Sequence, residues 1–130
     1  MNRKTWTVVL VFLTMLMLLG CAPRVALGPV YLYPKVEPIE IELRGFSFYP
    51  DHFAILKNST PFSFRLKNTD KIKHNFTLKD SQKNVLVSID VMPNNSTTVT
   101  IESLRSGNYT FYCNRFLHRR QGMQGMLMVD

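Results

Sequence analysis

The stretch that decides how this chain folds lies near its end and reads FYCNRFLHRRQGM, residues 111–123. It carries three possible metal donors, Cys113, His118 and Met123, and four residues separate each donor from the next. A loop with this spacing at the end of a strand can fold back and present all three donors to one point. A second histidine, His74, lies about forty residues upstream. One thiolate, two imidazoles and one thioether are the ligands of a mononuclear blue-copper site, a His2Cys plane with a weak axial Met.

Copper suits this donor set because sulfur ligands favour Cu(I) whereas imidazoles also suit Cu(II). The sequence therefore predicts one copper ion in a site that passes electrons. Four protein ligands leave no open position for a substrate, so we expect no enzyme activity. The alternative is that Cys113 and Met123 only fill the core, as both residue types often do. Core filling alone does not predict the regular spacing of the donors.

The N-terminus predicts export and attachment to a membrane. Residues 2–4 are basic or polar, residues 6–19 are uncharged and almost entirely apolar, and residues 18–22 read LLGCA. An apolar stretch of this length is typical of a secretory signal peptide and is short for a membrane-spanning helix. Its end resembles the lipobox of bacterial lipoproteins. We therefore expect a lipoprotein signal peptide over residues 1–20 and a diacylglycerol on the sulfur of Cys21. The alternative is an ordinary signal peptide or an uncleaved anchor.

Lipid on Cys21 has a consequence for the other cysteine. The chain contains two cysteines, so Cys113 would then have no disulfide partner within the chain. An unpaired thiol outside the cytoplasm is open to oxidation unless something occupies it. Copper would occupy it. The predicted location, extracytoplasmic on a bacterial membrane, therefore supports the predicted metal site.

A proline-rich segment, residues 21–37, separates the signal peptide from the rest of the chain. Its apolar residues follow no regular period, which predicts a semi-extended tether that spans some tens of ångströms at ~3.1 Å per residue. The alternative is that Val30, Tyr31 and Tyr33 pack onto the folded domain as an extra edge strand. We expect the domain itself to occupy residues 38–130.

The pattern of residues 38–130 predicts an all-β fold. Apolar and polar residues alternate in short runs, and no run has the 3.6-residue period of a helix. The alternation changes phase at Gly45, which predicts a bulge or kink. Turns every eight to twelve residues predict seven to eight strands in an antiparallel β-sandwich, with a small barrel as the alternative. In a sandwich, His74 and Cys113 can meet at one end although they are distant in sequence.

Four segments of residues 38–130 resemble the cupredoxins, the superfamily of plastocyanin and azurin. They are FSFYP at 46–50, LKNTD at 66–70 leading into HNF at 74–76, GNYTFYC at 107–113 and GMQG at 122–125. The resemblance implies a Greek-key β-sandwich. It also implies that His74, Cys113 and His118 are equatorial copper ligands and that Met123 is the axial one. The Cys-to-His gap is similar to that of azurin, whereas the His-to-Met gap is similar to that of plastocyanin.

Several neighbours of the four donors are assigned to the site or excluded from it. The resemblance implies that Asn75 braces the copper loop through hydrogen bonds, and we expect Asn114 to support the ligands as well. A surface Asn in a turn is the alternative for Asn75. Met126 and Met128 follow Met123 and are interpreted as packing or surface residues, with Met126 as an alternative axial ligand.

The charge of the chain bears on its partners. The formal net charge is +7, and it falls to +5 when Arg3 and Lys4 are removed with the signal peptide. Export and the lack of an aromatic-plus-basic binding motif exclude nucleic acid as the expected partner. We expect a monomer that meets a redox protein.

A partner surface is predicted on the copper loop. Its residues are Arg115, Phe116, Leu117, Arg119 and Arg120. In the family that the chain resembles, the loop His is the exposed ligand through which electrons pass. An apolar contact ringed by arginines therefore predicts a partner with an acidic docking surface. The alternative is a solvated loop whose charges aid solubility or bind lipid headgroups.

The predicted function is a membrane-tethered one-electron carrier that cycles between Cu(I) and Cu(II). One alternative is an extracytoplasmic protein that stores or delivers copper, which must release the ion and usually needs exposed Met or Cys donors; Met126 and Met128 keep this alternative open. Another is an interaction module with a cupredoxin fold and no copper. The presence of all four ligand types argues against that module.

Overall fold

The structure is a computed structural model that describes residues 30–33, 38–56 and 61–130. The predicted signal peptide and the predicted lipid site at Cys21 lie outside the described residues. Within the described ranges, no helix is long and apolar enough to cross a membrane.

Ten β-strands make up the secondary structure of the described residues. They are β1 Tyr31–Tyr33, β2 Ile39–Arg44, β3 Ser47–Tyr49, β4 His52–Ile55, β5 Phe62–Asn68, β6 His74–Lys79, β7 Val85–Val91, β8 Ser96–Ile101, β9 Gly107–Tyr112 and β10 Gln124–Val129. The strands form a six-stranded sheet in the order β1-β4-β10-β9-β6-β7 and a four-stranded sheet in the order β3-β2-β5-β8. The predicted all-β sandwich is confirmed, and its strand order fits a Greek key.

The sheets are mixed, which the sequence pattern did not predict. Among the described strands, three pairs are parallel: β1 with β4, β4 with β10, and β2 with β5. The chain leaves β3 in the smaller sheet, forms β4 in the larger one and returns to the smaller sheet as β5. Alternation reports which face of a strand is buried but not the direction of its neighbour, so the parallel pairs were not predicted. The described residues form ten strands, whereas seven to eight were predicted.

The segment predicted as a tether contributes a strand to the larger sheet. Tyr31 pairs with Phe53 and Tyr33 pairs with Ile55, in parallel. The alternative of an extra edge strand is therefore confirmed for Tyr31–Tyr33.

The core between the sheets is dominated by aromatic rings. The ring of Phe111 on β9 lies 5.4 Å from that of Phe76, 5.2 Å from that of Phe48 and 5.7 Å from that of Phe53. All four rings are at most 1% exposed. Aromatic pairs of this kind are worth about 0.5–1.5 kcal/mol each beyond the area that they bury. Because β6 and β9 are neighbours and both contribute rings to this core, the core fixes the two strands from which the site is built.

The change of phase at Gly45 is a hairpin turn rather than a bulge. Arg44 pairs with Ser47, so Gly45 and Phe46 form a two-residue connection between β2 and β3. Their φ angles are 57° and 59°. Positive φ at both central residues is the signature of a type I′ turn, which matches the twist of the two strands.

Candidate metal centre

Two adjacent strands bring the first histidine and the cysteine together. β6 begins at His74 and β9 ends one residue before Cys113, and the two strands run antiparallel with Thr77 opposite Tyr112. The start of one strand therefore lies at the same end of the sandwich as the end of the other. The backbone N–H of Asn75 donates to Sγ of Cys113 at 3.3 Å. This places the thiol beside the residue that follows His74.

The loop between β9 and β10 folds back on itself through backbone hydrogen bonds. The N–H of His118 donates to the carbonyl of Arg115 at 3.1 Å, and the N–H of Met123 donates to the carbonyl of His118 at 3.1 Å. The N–H of Cys113 donates to the carbonyl of Met123 at 3.0 Å and closes the loop. Leu117 has a φ of 63°, which allows the sharp reversal before His118. The predicted reversal is therefore held by the backbone.

The donor atoms of three side chains converge on one point. Nδ1 of His118 lies 3.3 Å from Nδ1 of His74 and 3.4 Å from Sγ of Cys113. One ligand atom from each of these residues lies within 4.8 Å of the others. Neighbouring ligands that share one ion at bond lengths of about 2.0–2.3 Å have separations of this size. The donor set is therefore compatible with a single ion.

The site is closed to solvent except at His118. His74, Cys113 and Met123 are fully buried, whereas His118 is half-buried. Met123 lies just before β10 and continues the alternating series of β10 residues that face the core. Met126 lies on the opposite face of the strand. Together the thiol, the two imidazoles and the thioether of Met123 are arranged as a type 1 copper site, and the predicted copper cofactor fits them.

Burial favours the neutral forms of Cys113 and His118. It raises the pKa of the Cys113 thiol, and hydrogen bonds from the backbone of Arg115 and Asn75 offset only part of that rise. Burial also lowers the pKa of His118, with further contributions from the charges of His74 and Arg115. A neutral imidazole is ready to bind a metal ion. A thiol must lose its proton on binding, so metal binding at Cys113 releases a proton.

Two residues that the sequence analysis did not assign to the site contact its histidines. The carboxylate of Asp70 lies 2.7 Å from Nε2 of His74. The ring of Phe46 lies 4.8 Å from that of His118 in an edge-to-face arrangement. Asp70 ends the LKNTD motif four residues before His74, and Phe46 begins the FSFYP motif. The two motifs mark these residues in the sequence. Their contacts with the histidines follow only from the folded structure.

Hydrogen bonds connect Asn75 to the loop between β9 and β10 through an intermediate residue. Asn75 is 3% exposed, and its amide donates to the carboxylate of Asp90 at 3.0 Å. The same carboxylate accepts a hydrogen bond from the guanidinium of Arg115 at 2.6 Å. The path from Asn75 to the loop therefore runs through Asp90 on β7. Asn114, the other predicted supporting residue, is exposed, and its role stays a prediction.

The predicted partner surface lies on the outside of the loop. Phe116 is 87% exposed and Leu117 is 43% exposed. The guanidinium of Arg119 lies 4.4 Å from the centre of the Tyr112 ring, and Arg120 is exposed. Arg115 is paired with Asp90. Arg115 and Arg119 are therefore both held by contacts within the domain, whereas Arg120 makes no such contact among the described residues.

Comparisons with known proteins agree with this fold. The family model for the cupredoxin-like domain matches residues 9–129. No curated protein sequence matches the chain.

Three solved structures show the similarity of the fold. Auracyanin A, a blue copper protein from Chloroflexus aurantiacus, is 19% identical with a TM-score of 0.61, over 76% of this chain and 99% of its own. Rusticyanin from Thiobacillus ferrooxidans is 19% identical with a TM-score of 0.63, over 89% and 91%. Amicyanin from Paracoccus versutus is 13% identical with a TM-score of 0.54, over 73% and 83%. The resemblance to cupredoxins is confirmed, and the chain belongs to the cupredoxin-like domain family.

Proposed function

We propose that this protein is a one-electron carrier that cycles between Cu(I) and Cu(II) at a type 1 copper site. His74, Cys113, His118 and Met123 would hold the ion. One observation carries the proposal: three donor atoms of the required types meet within 4.8 Å at the closed end of a β-sandwich. Copper supplies the one-electron change, and the chain supplies a fixed set of ligands.

The geometry favours a carrier because the site is closed and held by the backbone. A rigid donor set that suits both oxidation states rearranges little when an electron arrives or leaves. Four protein donors leave no position for a substrate, so we propose no enzyme activity. Half-buried His118, beside exposed Phe116 and Leu117, is the point at which electrons enter and leave.

Storage or delivery of copper is less well supported. Such a protein needs donors that solvent or a partner can reach, whereas Cys113 and Met123 are both fully buried. Met128, the exposed methionine of β10, pairs with Asn108 near the end of the strand that lies away from the copper loop. Met128 therefore does not extend the site.

We further propose that the carrier is tethered outside the cytoplasm through lipid on Cys21, after removal of a signal peptide over residues 1–20. The cupredoxin-like domain then begins at residue 38, with β1 added to its edge. Nine residues separate Cys21 from Tyr31, the first residue of β1. Ten extended steps span at most about 35 Å. The domain therefore stays close to the membrane, where we expect its redox partner.

The copper proposal is tested on the chain from residue 22, expressed without the signal peptide and loaded with Cu(II). We expect one copper per chain and an intense visible band from charge transfer between thiolate and copper. Cys113→Ser should abolish the band, whereas Met128→Leu, which removes an exposed sulfur, should leave it unchanged. A colourless wild-type protein, or a serine variant that keeps the band, contradicts the ligand assignment.

The tether is tested by mass spectrometry of the mature N-terminus in its native membrane. We expect a diacylglyceryl adduct on Cys21, and Cys21→Ala should release the protein or block its processing. An unmodified N-terminus at another residue contradicts the lipid anchor.

A further inference from the structure

A single carboxylate oxygen connects the first histidine of the site to a neighbouring hairpin. Oδ2 of Asp70 lies 2.7 Å from Nε2 of His74 and accepts a hydrogen bond from the backbone N–H of Gly45 at 2.9 Å. With Nε2 facing this carboxylate, the other ring nitrogen, Nδ1, faces His118 at 3.3 Å. The two nitrogens of His74 therefore have different partners, an acid on one side and the metal donors on the other.

The loop that carries Asp70 is itself fixed in place. The backbone N–H of Asp70 donates to Oδ1 of Asn68 at 2.9 Å, and the backbone carbonyl of Asp70 accepts from the N–H of Asn94 at 3.2 Å. Asn68 is 1% exposed, and its amide donates to the carbonyls of Ile72 and Val91. A buried asparagine with three such contacts holds the loop between β5 and β6 against the sheet. The carboxylate is therefore aimed at His74 by its surroundings.

The contacts of Asp70 decide which nitrogen of His74 carries the proton. The backbone N–H of Gly45 can only donate, so Oδ2 of Asp70 acts as the acceptor in that contact and presents the same oxygen to Nε2 of His74. A neutral His74 must then place its proton on Nε2 to satisfy the carboxylate, which leaves the lone pair of Nδ1 free for a metal ion.

The hairpin on the other side of Asp70 reaches the second histidine. Gly45 and Phe46 both have positive φ, and the ring of Phe46 packs edge-on against His118 at 4.8 Å and near His74 at 6.3 Å. The hydrogen bond from Gly45 to Asp70 holds this turn over the site. One carboxylate therefore orients one imidazole directly and the other through an aromatic ring.

We infer that Asp70 is the positioning residue of the metal centre: it fixes the proton of His74 on Nε2, frees Nδ1 for copper, and holds the Gly45–Phe46 turn against His118. The inference rests on the proposed copper function. A carboxylate behind a ligand imidazole makes the imidazole a stronger donor. A stronger donor favours Cu(II) over Cu(I), so Asp70 lowers the reduction potential.

Two substitutions separate the charge of Asp70 from its geometry. Because Oδ2 alone makes both contacts, the amide oxygen of Asp70→Asn can keep them while the charge is lost. Asp70→Ala removes both contacts as well as the charge. Asp80→Asn is the matched control, since Asp80 is also a turn aspartate with hydrogen bonds to its own loop, from Asn84, and lies in the β6–β7 turn away from the copper loop.

The measurements are Cu(II) affinity, reduction potential, and the 15N chemical shifts of the His74 ring in metal-free protein. We expect Asp70→Asn to weaken Cu(II) binding roughly tenfold to a hundredfold. If Cu(I) binding is unchanged, each tenfold raises the potential by about 59 mV. The ring should carry its proton on Nε2 in wild-type protein and in Asp70→Asn, and lose this preference in Asp70→Ala.

The inference is overturned if both variants keep the potential and the ring protonation of the wild type, or if they behave like Asp80→Asn. The nitrogen shifts are measured without metal, so they test Asp70 even if the wild-type protein fails to bind copper and the proposed function falls. If Asp70→Ala does not fold, Asp70→Asn still tests the inference through Cu(II) affinity and reduction potential, because it can keep both hydrogen bonds while the charge is lost.

Discussion

Phe46 has a backbone conformation that is not expected from its side chain. A bulky aromatic residue with a φ of 59° is uncommon, and such a conformation costs of order 1–3 kcal/mol. This conformation places the Phe46 ring against the half-buried His118. Without that ring, the imidazole would have solvent on one more side.

The first prediction concerns this ring. We expect Phe46→Gly to relieve the backbone strain while opening His118 to water, so that copper is lost to a chelator several-fold faster with little change in the free energy of unfolding of the metal-free protein. The measurement is chelator-exchange kinetics paired with urea unfolding. Phe116→Ala is the control, because Phe116 is exposed and its loss should leave the exchange rate unchanged. Equal exchange rates in the wild type and in Phe46→Gly would show that the ring does not protect the site.

At the scale of the strand, alternation of residue types predicted which side chains are buried but not their contacts with neighbouring strands. β5 shows the expected pattern, with Phe62, Phe64 and Leu66 buried. β6 does not show this pattern: alternation places Asn75 and Thr77 on the face opposite His74 and Phe76, yet both are at most 3% exposed. Their side chains bond to each other and to residues of β7, a contact between strands that the sequence of one strand does not encode.

The candidate site was predictable to the extent that its residues are chemically distinctive. Cys113 and His118 could be read from spacing, because few other roles place a thiol and an imidazole in one short loop. Asp70 and Phe46 could not, because they are common residues of loops that meet only when the sandwich closes. The same reason applies to Asp90, whose link to Arg115 joins positions twenty-five residues apart.

The second prediction concerns β10, which follows the copper loop. A Cβ at Gly125 would overlap the carbonyl oxygen of Asp51 and the ring of Phe111. Phe111 is fully buried in the aromatic core, so it cannot move aside without disturbing its neighbours. We expect Gly125→Ala to destabilise the metal-free domain by about 1–3 kcal/mol, the usual cost of overpacking, or more because one clash is with backbone.

The matched control is Met128→Ala on the same strand, where the side chain is 39% exposed and truncation should change stability by about 0.5 kcal/mol or less. Both variants are measured by urea denaturation of metal-free protein. Equal midpoints would mean that β10 shifts to accept the methyl group and that the close approach at Gly125 is not required.

At the scale of the whole molecule, the fold gathers the loops that follow β2, β5 and β9 at one end, and the last of these carries a cluster of positive charge. The net charge without Arg3 and Lys4 is +5. The three loop arginines are not equivalent, however. Arg115 is paired with Asp90 at 2.6 Å and supports the loop, whereas Arg120 is exposed. Removing either arginine subtracts one unit of charge from the field that a partner meets, but only the removal of Arg115 leaves Asp90 without its nearest cation.

The third prediction separates steering from support. We expect Arg120→Gln and Arg115→Gln each to lower the bimolecular rate of electron exchange with an acidic redox protein, since each weakens the attraction that raises encounter rates. The difference between wild type and variants should shrink above roughly 0.1 M salt, where the Debye length is ~10 Å. Only Arg115→Gln should also lower the thermal stability of the loop and speed copper loss, because it breaks the link from Asn75 through Asp90.

The measurement is stopped-flow reduction and reoxidation against acidic and basic redox proteins across a salt series. Lys83→Gln is the control, since Lys83 lies in the β6–β7 turn, away from the copper loop, and carries the same charge. A triple change of Arg115, Arg119 and Arg120 to Gln should flatten the salt dependence altogether. Fast exchange that ignores both charge and salt would keep the carrier role and remove the arginines from it, whereas slow exchange combined with rapid, specific copper release would favour delivery of the ion.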